Sequence, residues 1–274
     1  MVIRRRRRLG QNFLTDPNLL SAIIRHAALD PADVILEVGG GMGALTGKLA
    51  PDVLHLHVVE LDTRLRPDLE TIASRSDNVT LHWADAMKLD LDALLPPPRK
   101  IVANLPYSIA TPLILRTVTE MPRVTSWTVM VQKEIAERLR AAPGSRTYGA
   151  PSVLLQVACE VELLRTVDPA VFTPRPRVES ALLGIRRRGT AAPESFRRLV
   201  RGAFAHRRKG IARSLDLSIP GSRGQVRAAL EAADISPDSR AEALAPEQFV
   251  SLALSLAPML TEDDQGSEDD QGSP

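Results

Sequence analysis

The sequence has one cysteine, Cys159, in 274 residues. A single thiol excludes an intramolecular disulfide and any cysteine-rich zinc site. Its five histidines show no metal-ligand spacing; His55 and His57 lie two apart, which a strand explains by alternation alone. Long apolar runs are also missing: no uninterrupted stretch approaches the roughly 20 residues that span a bilayer. The basic start, MVIRRRRRLG, is followed by no apolar segment of a secretory signal. These absences lead to the expectation of a cytoplasmic protein with no membrane and no metal in its function. No heptad or apolar interface stripe argues for more than a monomer. Aromatic residues are scarce, at five Phe, two Trp and two Tyr, so the position of each carries information.

Charge is plentiful but unevenly placed. The net charge of +2 conceals a tail, TEDDQGSEDDQGSP, with six acids and no base, which leaves +8 on residues 1–260. Residues 165–213 alone hold 13 Lys/Arg against Asp168, Glu179 and Glu194, and Arg4 to Arg8 form a second basic cluster. A solvated helix face explains one such run; two of them flanking a catalytic-looking domain fit a polyanion such as nucleic acid. The tail repeats EDDQGS and has no apolar residue to bury, so residues 261–274 are expected to be disordered.

Short β-rich runs alternate with helical segments through the first two thirds: VILEV (34–38), LHLHVVE (54–60), VTLHWAD (79–85), KIVANL (100–105) and SWTVMVQ (126–132). Asp16-Pro17 and Thr111-Pro112 each read as a capping side chain followed by a first-turn proline. The alternation predicts an α/β fold, with a mostly parallel sheet covered by helices on both faces. Runs near 161–167 and 181–186 predict an antiparallel pair at one edge. After RRRGTAAP (186–193) the pattern is helical only, to about residue 258. The predicted division is a catalytic domain over 1–188, a small all-α domain over 189–260 and the acidic tail.

The segment ILEVGGGMGALT (35–46) follows the first predicted strand and opens a helix. Gly39, Gly41 and Gly43 let the backbone turn tightly and approach a ligand where a Cβ would clash. Glu60, at the end of the next strand, is placed to hold ribose hydroxyls. Asp62 lies past that strand end and is expected to face water. Asp85, after the third strand, reads either as a helix cap or as an acceptor for an adenine amino group. The GxGxG spacing with both acids in order points to S-adenosylmethionine rather than a nicotinamide dinucleotide.

At the end of KIVANL comes NLPY. Asn104 falls at the carboxyl end of a predicted parallel strand, where ligands bind. The exocyclic amine of adenine is a poor nucleophile, because its lone pair is delocalised into the ring. The Asn104 side-chain oxygen and the Leu105 carbonyl can accept its two N–H bonds, Pro106 stiffens the turn without adding a donor, and Tyr107 can stack on the base. A base leaving its helical stack needs a second apolar face. Phe172, in VFTPRPRVES, reads equally as that face or as a loop anchor in the core.

These residues carry a resemblance. LGQNFL (9–14), EVGGGMGALT, VVELD, DAM, NLPYSIATPL, QKEIAERL (132–139), YGAPSVLLQ (148–156) and FTPRPRVESAL (172–182) occur in the order found in the KsgA-type ribosomal RNA adenine dimethyltransferases. The resemblance implies a class I methyltransferase fold with a small helical C-terminal domain, S-adenosylmethionine as donor, and N6,N6-dimethylation of two adjacent adenosines in a hairpin near the 3′ end of small-subunit rRNA. It also implies a link to small-subunit assembly, with the rRNA or the pre-30S particle as partner. By the same resemblance Asn12, Leu14, Gly39, Gly41, Glu60, Asp85, Ala86 and Asn104 line the cofactor site, and Asn104, Leu105, Pro106 and Tyr107 face the target base. Gln11-Asn12 would otherwise read as ordinary loop polarity. RGAFAHRRKGIARSL (201–215) is similar to the family's C-terminal motif, with Arg207, Arg208 and Lys209 on RNA phosphates. One departure is Gly40, where the family commonly has proline; glycine is expected to permit the same backbone with more freedom. The erythromycin-resistance methylases, which act on large-subunit rRNA, resemble the same N-terminal motifs, and a non-catalytic rRNA-binding assembly factor is the alternative from another class.

Overall fold

Asp16 begins the first helix, α1 (Pro17–Ala27), as its sequence predicts: its carboxylate accepts the Leu19 N–H at 2.7 Å, and Pro17 sits in the first turn. Thr111-Pro112 does not repeat the arrangement. The helix α4 (Ala110–Glu120) has already started one residue earlier, after Ile109, which offers no capping side chain. Pro112 is tolerated because it still lies in the first turn, where its missing N–H has no intrahelical partner to lose.

The computed structural model describes residues 12–219, 222–257 and 260. The basic cluster at 4–8, Gln11 and the acidic tail lie outside these residues. In chain order the described strands are β1 (Phe13–Leu14), β2 (Val34–Val38), β3 (His55–Glu60), β4 (Val79–Trp83), β5 (Lys100–Asn104), β6 (Ser126–Gln132), β7 (Cys159–Val167), β8 (Phe172–Thr173) and β9 (Ser180–Arg187). Seven form one sheet in the order β4-β3-β2-β5-β6-β9-β7. The first five are mutually parallel, and β9 runs antiparallel to both β6 and β7, the edge pair expected from sequence. All five residues of β2 are buried, so both its faces are covered. This is why VILEV is a continuous apolar run interrupted only by Glu37, rather than an alternating one. Each of its aliphatic side chains contributes about 1.5–3 kcal/mol by burial.

The first and eighth strands form a separate two-stranded ribbon, with Phe13 opposite Thr173 and Leu14 opposite Phe172. Neither strand was expected from sequence, since two residues carry no periodicity.

The chain divides into two compact units: the chain through Glu137 with Cys159–Thr190, and Arg138–Ala158 with the chain from Ala191 onward. This corrects the predicted linear boundary at 188/189. The segment 138–158, with α6 (Ala150–Gln156), packs with α7 (Glu194–Ala205), α8 (Ile211–Ser218), α9 (Arg223–Ala232) and α10 (Pro246–Ser255). Tyr148 shows the reason. Its ring is fully buried in the same apolar cluster as Phe196, Leu199 and Phe249, and its hydroxyl donates to the Leu244 carbonyl at 2.9 Å. The burial of one insert against distant helices cannot be read from the order of motifs.

Candidate active site

The strand order reverses between β2 and β5: the chain runs outward through β3 and β4, then returns to the other side of β2. Loops at the carboxyl ends diverge at such a point and leave a crevice. Gly39 follows β2, Glu60 ends β3 and Asn104 ends β5. Strands about 4.8 Å apart therefore gather residues far apart in sequence. A cleft here is lined by Asn12, Phe13, Leu14, Glu37, Gly39–Met42, Ala44, Leu45, Glu60 and Asn104–Tyr107. Asn12, Leu14, Gly39, Gly41, Glu60, Asn104, Leu105, Pro106 and Tyr107 are thus brought together. Phe13 and Glu37 also line it, and sequence reasoning missed both.

The glycine loop needs its glycines for conformation and for space. Gly39, Gly41 and Gly43 have φ of +84°, +59° and +81°, a region that side chains with a Cβ rarely adopt. A Cβ at Gly39 would come within 3.3 Å of Pro106 Cδ and 3.5 Å of the Asn104 carbonyl oxygen, so this loop and the NLPY turn meet closely. At Gly40 the limit is space. A Cβ there would sit 2.5 Å from Val58 Cγ1 and 3.0 Å from Leu69 Cδ2. The space a larger residue needs is already filled from β3 and from α3 (Arg66–Ala73).

Glu60 is buried, and its carboxylate accepts N–H bonds from Gly41 at 2.9 Å and Asp62 at 2.8 Å. The acid thus braces the glycine loop besides facing the cleft. Asp62 does not face water as expected: it is 7% exposed and caps the next turn, accepting from the Arg64 backbone and guanidinium. Asp85 and Ala86 are not among the residues lining the cleft. Asp85 lies in the turn after β4, where its carboxylate accepts the Met87 N–H at 2.9 Å, the capping role left open by the sequence. Its turn is nonetheless held beside Glu60, whose carbonyl accepts the Ala84 N–H at 3.1 Å. Ala86 is buried, with its carbonyl taken by Arg116.

Burial pushes the Glu37 carboxyl up to about 8; the Glu60 carboxylate adds to the rise, and a hydrogen bond from the Thr46 hydroxyl at 2.7 Å opposes it. The folded pKa is raised, so the stability Glu37 contributes is fully present below its ordinary pKa near 4.5 and is lost as pH rises through about 8. Thermal stability is therefore expected to fall between about pH 5 and 8 and to level off above, and Glu37→Gln to flatten that fall. Equal pH slopes in the two proteins would refute the assignment.

Asn104 is oriented by one bond. Its side-chain nitrogen lies 3.2 Å from the Asn12 carbonyl oxygen. A carbonyl only accepts, so the amide nitrogen must face it, which leaves the amide oxygen as the atom turned to other partners. Leu105 is held by its N–H to the Met130 carbonyl at 3.1 Å, and Pro106 accepts the Ile109 N–H at 3.1 Å. Tyr107 is half-buried, with its hydroxyl 2.6 Å from Ser180 Oγ.

Phe172 is not a second stacking face here. It is 3% exposed and packs in the core with Leu14, Val102, Met130 and Leu182. Strand alternation explains the exchange: Leu14 and its register partner Phe172 enter the core, while Phe13, one residue earlier, lines the cleft.

In the second unit the basic trio divides. Arg207 is exposed but engaged, with Nη2 3.2 Å from a Glu242 carboxylate oxygen and 3.4 Å from the Tyr148 carbonyl. Arg208 and Lys209 are exposed.

Comparison with known proteins extends the picture. The family model described as "Ribosomal RNA adenine dimethylase" matches residues 2–258. A relative from Rubrobacter xylanophilus named "Ribosomal RNA small subunit methyltransferase A" is 44% identical over 259 residues, 93% of this chain and 96% of its own. Among solved structures, a dimethyladenosine transferase from Plasmodium falciparum superposes with a TM-score of 0.76 at 23% identity, covering 90% of this chain and 98% of its own. The 23S rRNA methyltransferase ErmE gives a TM-score of 0.67 at 27% identity, covering 90% and 100%. With the fold of class I methyltransferases and a family match over nearly its whole length, the chain belongs to the ribosomal RNA adenine dimethylase family.

Proposed function

We propose that this protein transfers methyl groups from S-adenosylmethionine to the N6 atoms of two adjacent adenosines in the 3′-terminal hairpin loop of small-subunit rRNA, giving N6,N6-dimethyladenosine during small-subunit assembly. The observation that carries the reading is the tied amide of Asn104, set beside Tyr107 in a cleft walled by the glycine loop and Glu60.

The residues present fit the donor. The glycine cradle admits backbone approach where a Cβ would crowd Pro106, and Glu60 is an acid placed for ribose hydroxyls. When bound, the donor supplies an electrophilic methyl on a positively charged sulfur, so no protein nucleophile is required. Asn12, Leu14, Gly39, Gly41 and Glu60 would hold it; Asp85 and Ala86, outside the cleft lining but in the turn tied to Glu60, are proposed for its adenine end. The Asn104 oxygen and the Leu105 carbonyl take the two N–H bonds of the adenine amine. Held this way, the nitrogen lone pair would be drawn out of conjugation with the ring and aimed in line at the methyl; the N–C bond forms as the S–C bond breaks, the neutral thioether leaves, and the spare amine proton passes to solvent. Tyr107 lies against the base, and Phe13 is a second aromatic at the cleft wall. Catalysis is by positioning and electrostatics.

The basic surface of the second unit positions the RNA, and the pocket selects the base. Arg208→Ala with Lys209→Ala is expected to reduce the salt slope of RNA binding by about two, one per lost phosphate contact. Arg207→Ala is expected to act mainly on stability, because it breaks the tie to Glu242 and Tyr148. Binding measured at several salt concentrations, with a melting curve for each variant, checks both; an unchanged slope in the double variant would place the RNA surface elsewhere.

The similarity to ErmE favours one second reading, transfer to large-subunit rRNA. Incubating the protein with labelled S-adenosylmethionine and, separately, with small and large subunits lacking native adenine methylation separates the two. N6,N6-dimethyladenosine in the small-subunit hairpin supports the proposal. Label in the large subunit supports the second reading, and RNA binding without label would mark an assembly factor that has lost catalysis.

A further inference from the structure

We infer that Ser180 is a positioning residue for the target base, fixing the position of the Tyr107 ring through a hydrogen bond between the two hydroxyls. The inference rests on the reading of Tyr107 as the face against which the adenine lies.

The two ends of this bond differ in rigidity. Tyr107 belongs to the turn between β5 and α4, outside regular structure. Its ring lines the cleft and could swing about two side-chain torsions. Ser180 is wholly buried and opens β9, paired with Gln132 of β6 on one side and Val167 of β7 on the other. The residue before it is clamped as well: the Glu179 carbonyl accepts the Lys133 N–H at 3.0 Å, and the Glu179 carboxylate meets Lys133 Nζ at 2.7 Å. The Ser180 hydroxyl is therefore a fixed point set by the sheet, 2.6 Å from the phenol oxygen. Burial holds the Tyr107 phenol above its ordinary pKa, so it stays a neutral hydroxyl able to share a proton with serine. Anchoring the far end of the ring stops its swing about χ1 and leaves its face for the base. Placement errors of about 1 Å in such a group cost up to 100-fold in rate. Mutual satisfaction of two hydroxyls would explain the same bond, but it predicts a loss of stability without a specific loss of rate.

The scarcity of tyrosine provides the test. Tyr107 and Tyr148 are the two tyrosines of the chain, so protein grown with 3-fluorotyrosine gives two fluorine resonances. Tyr107→Phe assigns them, and Tyr148, buried in the other unit and bonded to Leu244, is the internal reference. Ser180→Ala is expected to shift the Tyr107 resonance alone. It should lower kcat about tenfold without changing KM for S-adenosylmethionine, and Ser180→Thr, which restores a hydroxyl, should recover most of the rate. Tyr107→Phe keeps the ring but loses the anchor, so the double variant should be no slower than either single one. Additive losses, or a Tyr107 resonance unmoved by Ser180→Ala, overturn the inference while wild-type methyl transfer stands. A wild type that shows the resonance shift on mutation but transfers no methyl to rRNA overturns the functional reading, and with it the purpose assigned to Ser180.

Discussion

Replacing Asn104 with alanine is expected to lower single-turnover methyl transfer about 100- to 1000-fold, the usual cost of removing one preorganised hydrogen-bonding group aimed at a reacting centre. The target is the exocyclic amine of adenine. Its lone pair is committed to the adenine ring, and acceptors on its N–H bonds are what would aim it at the methyl. The Asn104 oxygen is one of the two proposed acceptors, and its direction is set by the bond from the amide nitrogen to the Asn12 carbonyl. Alanine removes the acceptor and the tie together. RNA affinity is expected to stay within about twofold, because the proposed phosphate contacts lie elsewhere and would carry most of it. Asn104→Asp separates the two losses. It keeps an oxygen for the amine but sets a carboxylate against the Asn12 carbonyl oxygen, which removes the bond that orients the group. A rate for Asn104→Asp near that of Asn104→Ala means that orientation of the group, as well as its oxygen, is required. Strong residual turnover in Asn104→Ala would overturn catalysis by positioning. The measurement is transfer of labelled methyl to unmethylated small subunits under single-turnover conditions, with RNA binding measured in parallel.

Gly40→Pro, which installs the residue the family resemblance leads one to expect, should destabilise this protein by about 1–3 kcal/mol, the range for overpacking a filled core. The Cβ alone would fall 2.5 Å from Val58 Cγ1. Val58 is fully buried in a central strand and is stiff at χ1, so it cannot turn aside cheaply. Leu69, the second neighbour, is fully buried as well. The loop carries Gly41, whose N–H is bonded to Glu60, so the displacement should reach the cofactor side of the cleft and weaken donor binding. The compensating change is Val58→Ala, which empties the space the new ring needs. The double variant is expected to be more stable than the sum of the two single effects predicts, since the residues share one volume. Denaturant melts of the four proteins give the coupling directly. A stable Gly40→Pro protein, or purely additive effects, would show that the loop yields without help from β3.

Much of the fold was legible because parallel strands buried on both faces leave continuous apolar runs, and helices leave their own caps. VILEV, KIVAN and SWTVMVQ mark their strands, and Asp16-Pro17 marks a helix start. Thr111-Pro112 also sets a capping type before a proline but caps nothing, because the turn after NLPY had already begun the helix. At the site, Gly39, Gly41, Glu60 and Asn104 could be named because each falls where a predicted strand ends, and the carboxyl ends of parallel strands share one side of a sheet. Glu37 carried the opposite signal: an acid inside an apolar strand reads as an interruption until its neighbours show that it opens on the cleft.

What the sequence determined by itself was local and periodic: the strands, the glycine loop, the order of the motifs, and through them the family. Tertiary structure decided what depends on contact between distant segments. It set Phe13 at the cleft and Phe172 in the core, a choice fixed by a two-residue ribbon too short to show a period. It gave residues 138–158 to the helical unit, because the ring of Tyr148 is buried among helices that begin more than forty residues later. It closed the space beside Gly40 with Val58. It also joined Tyr107 to Ser180, 73 residues away in sequence, since only the pairing of β9 with β6 and β7 brings the two hydroxyls within bonding distance.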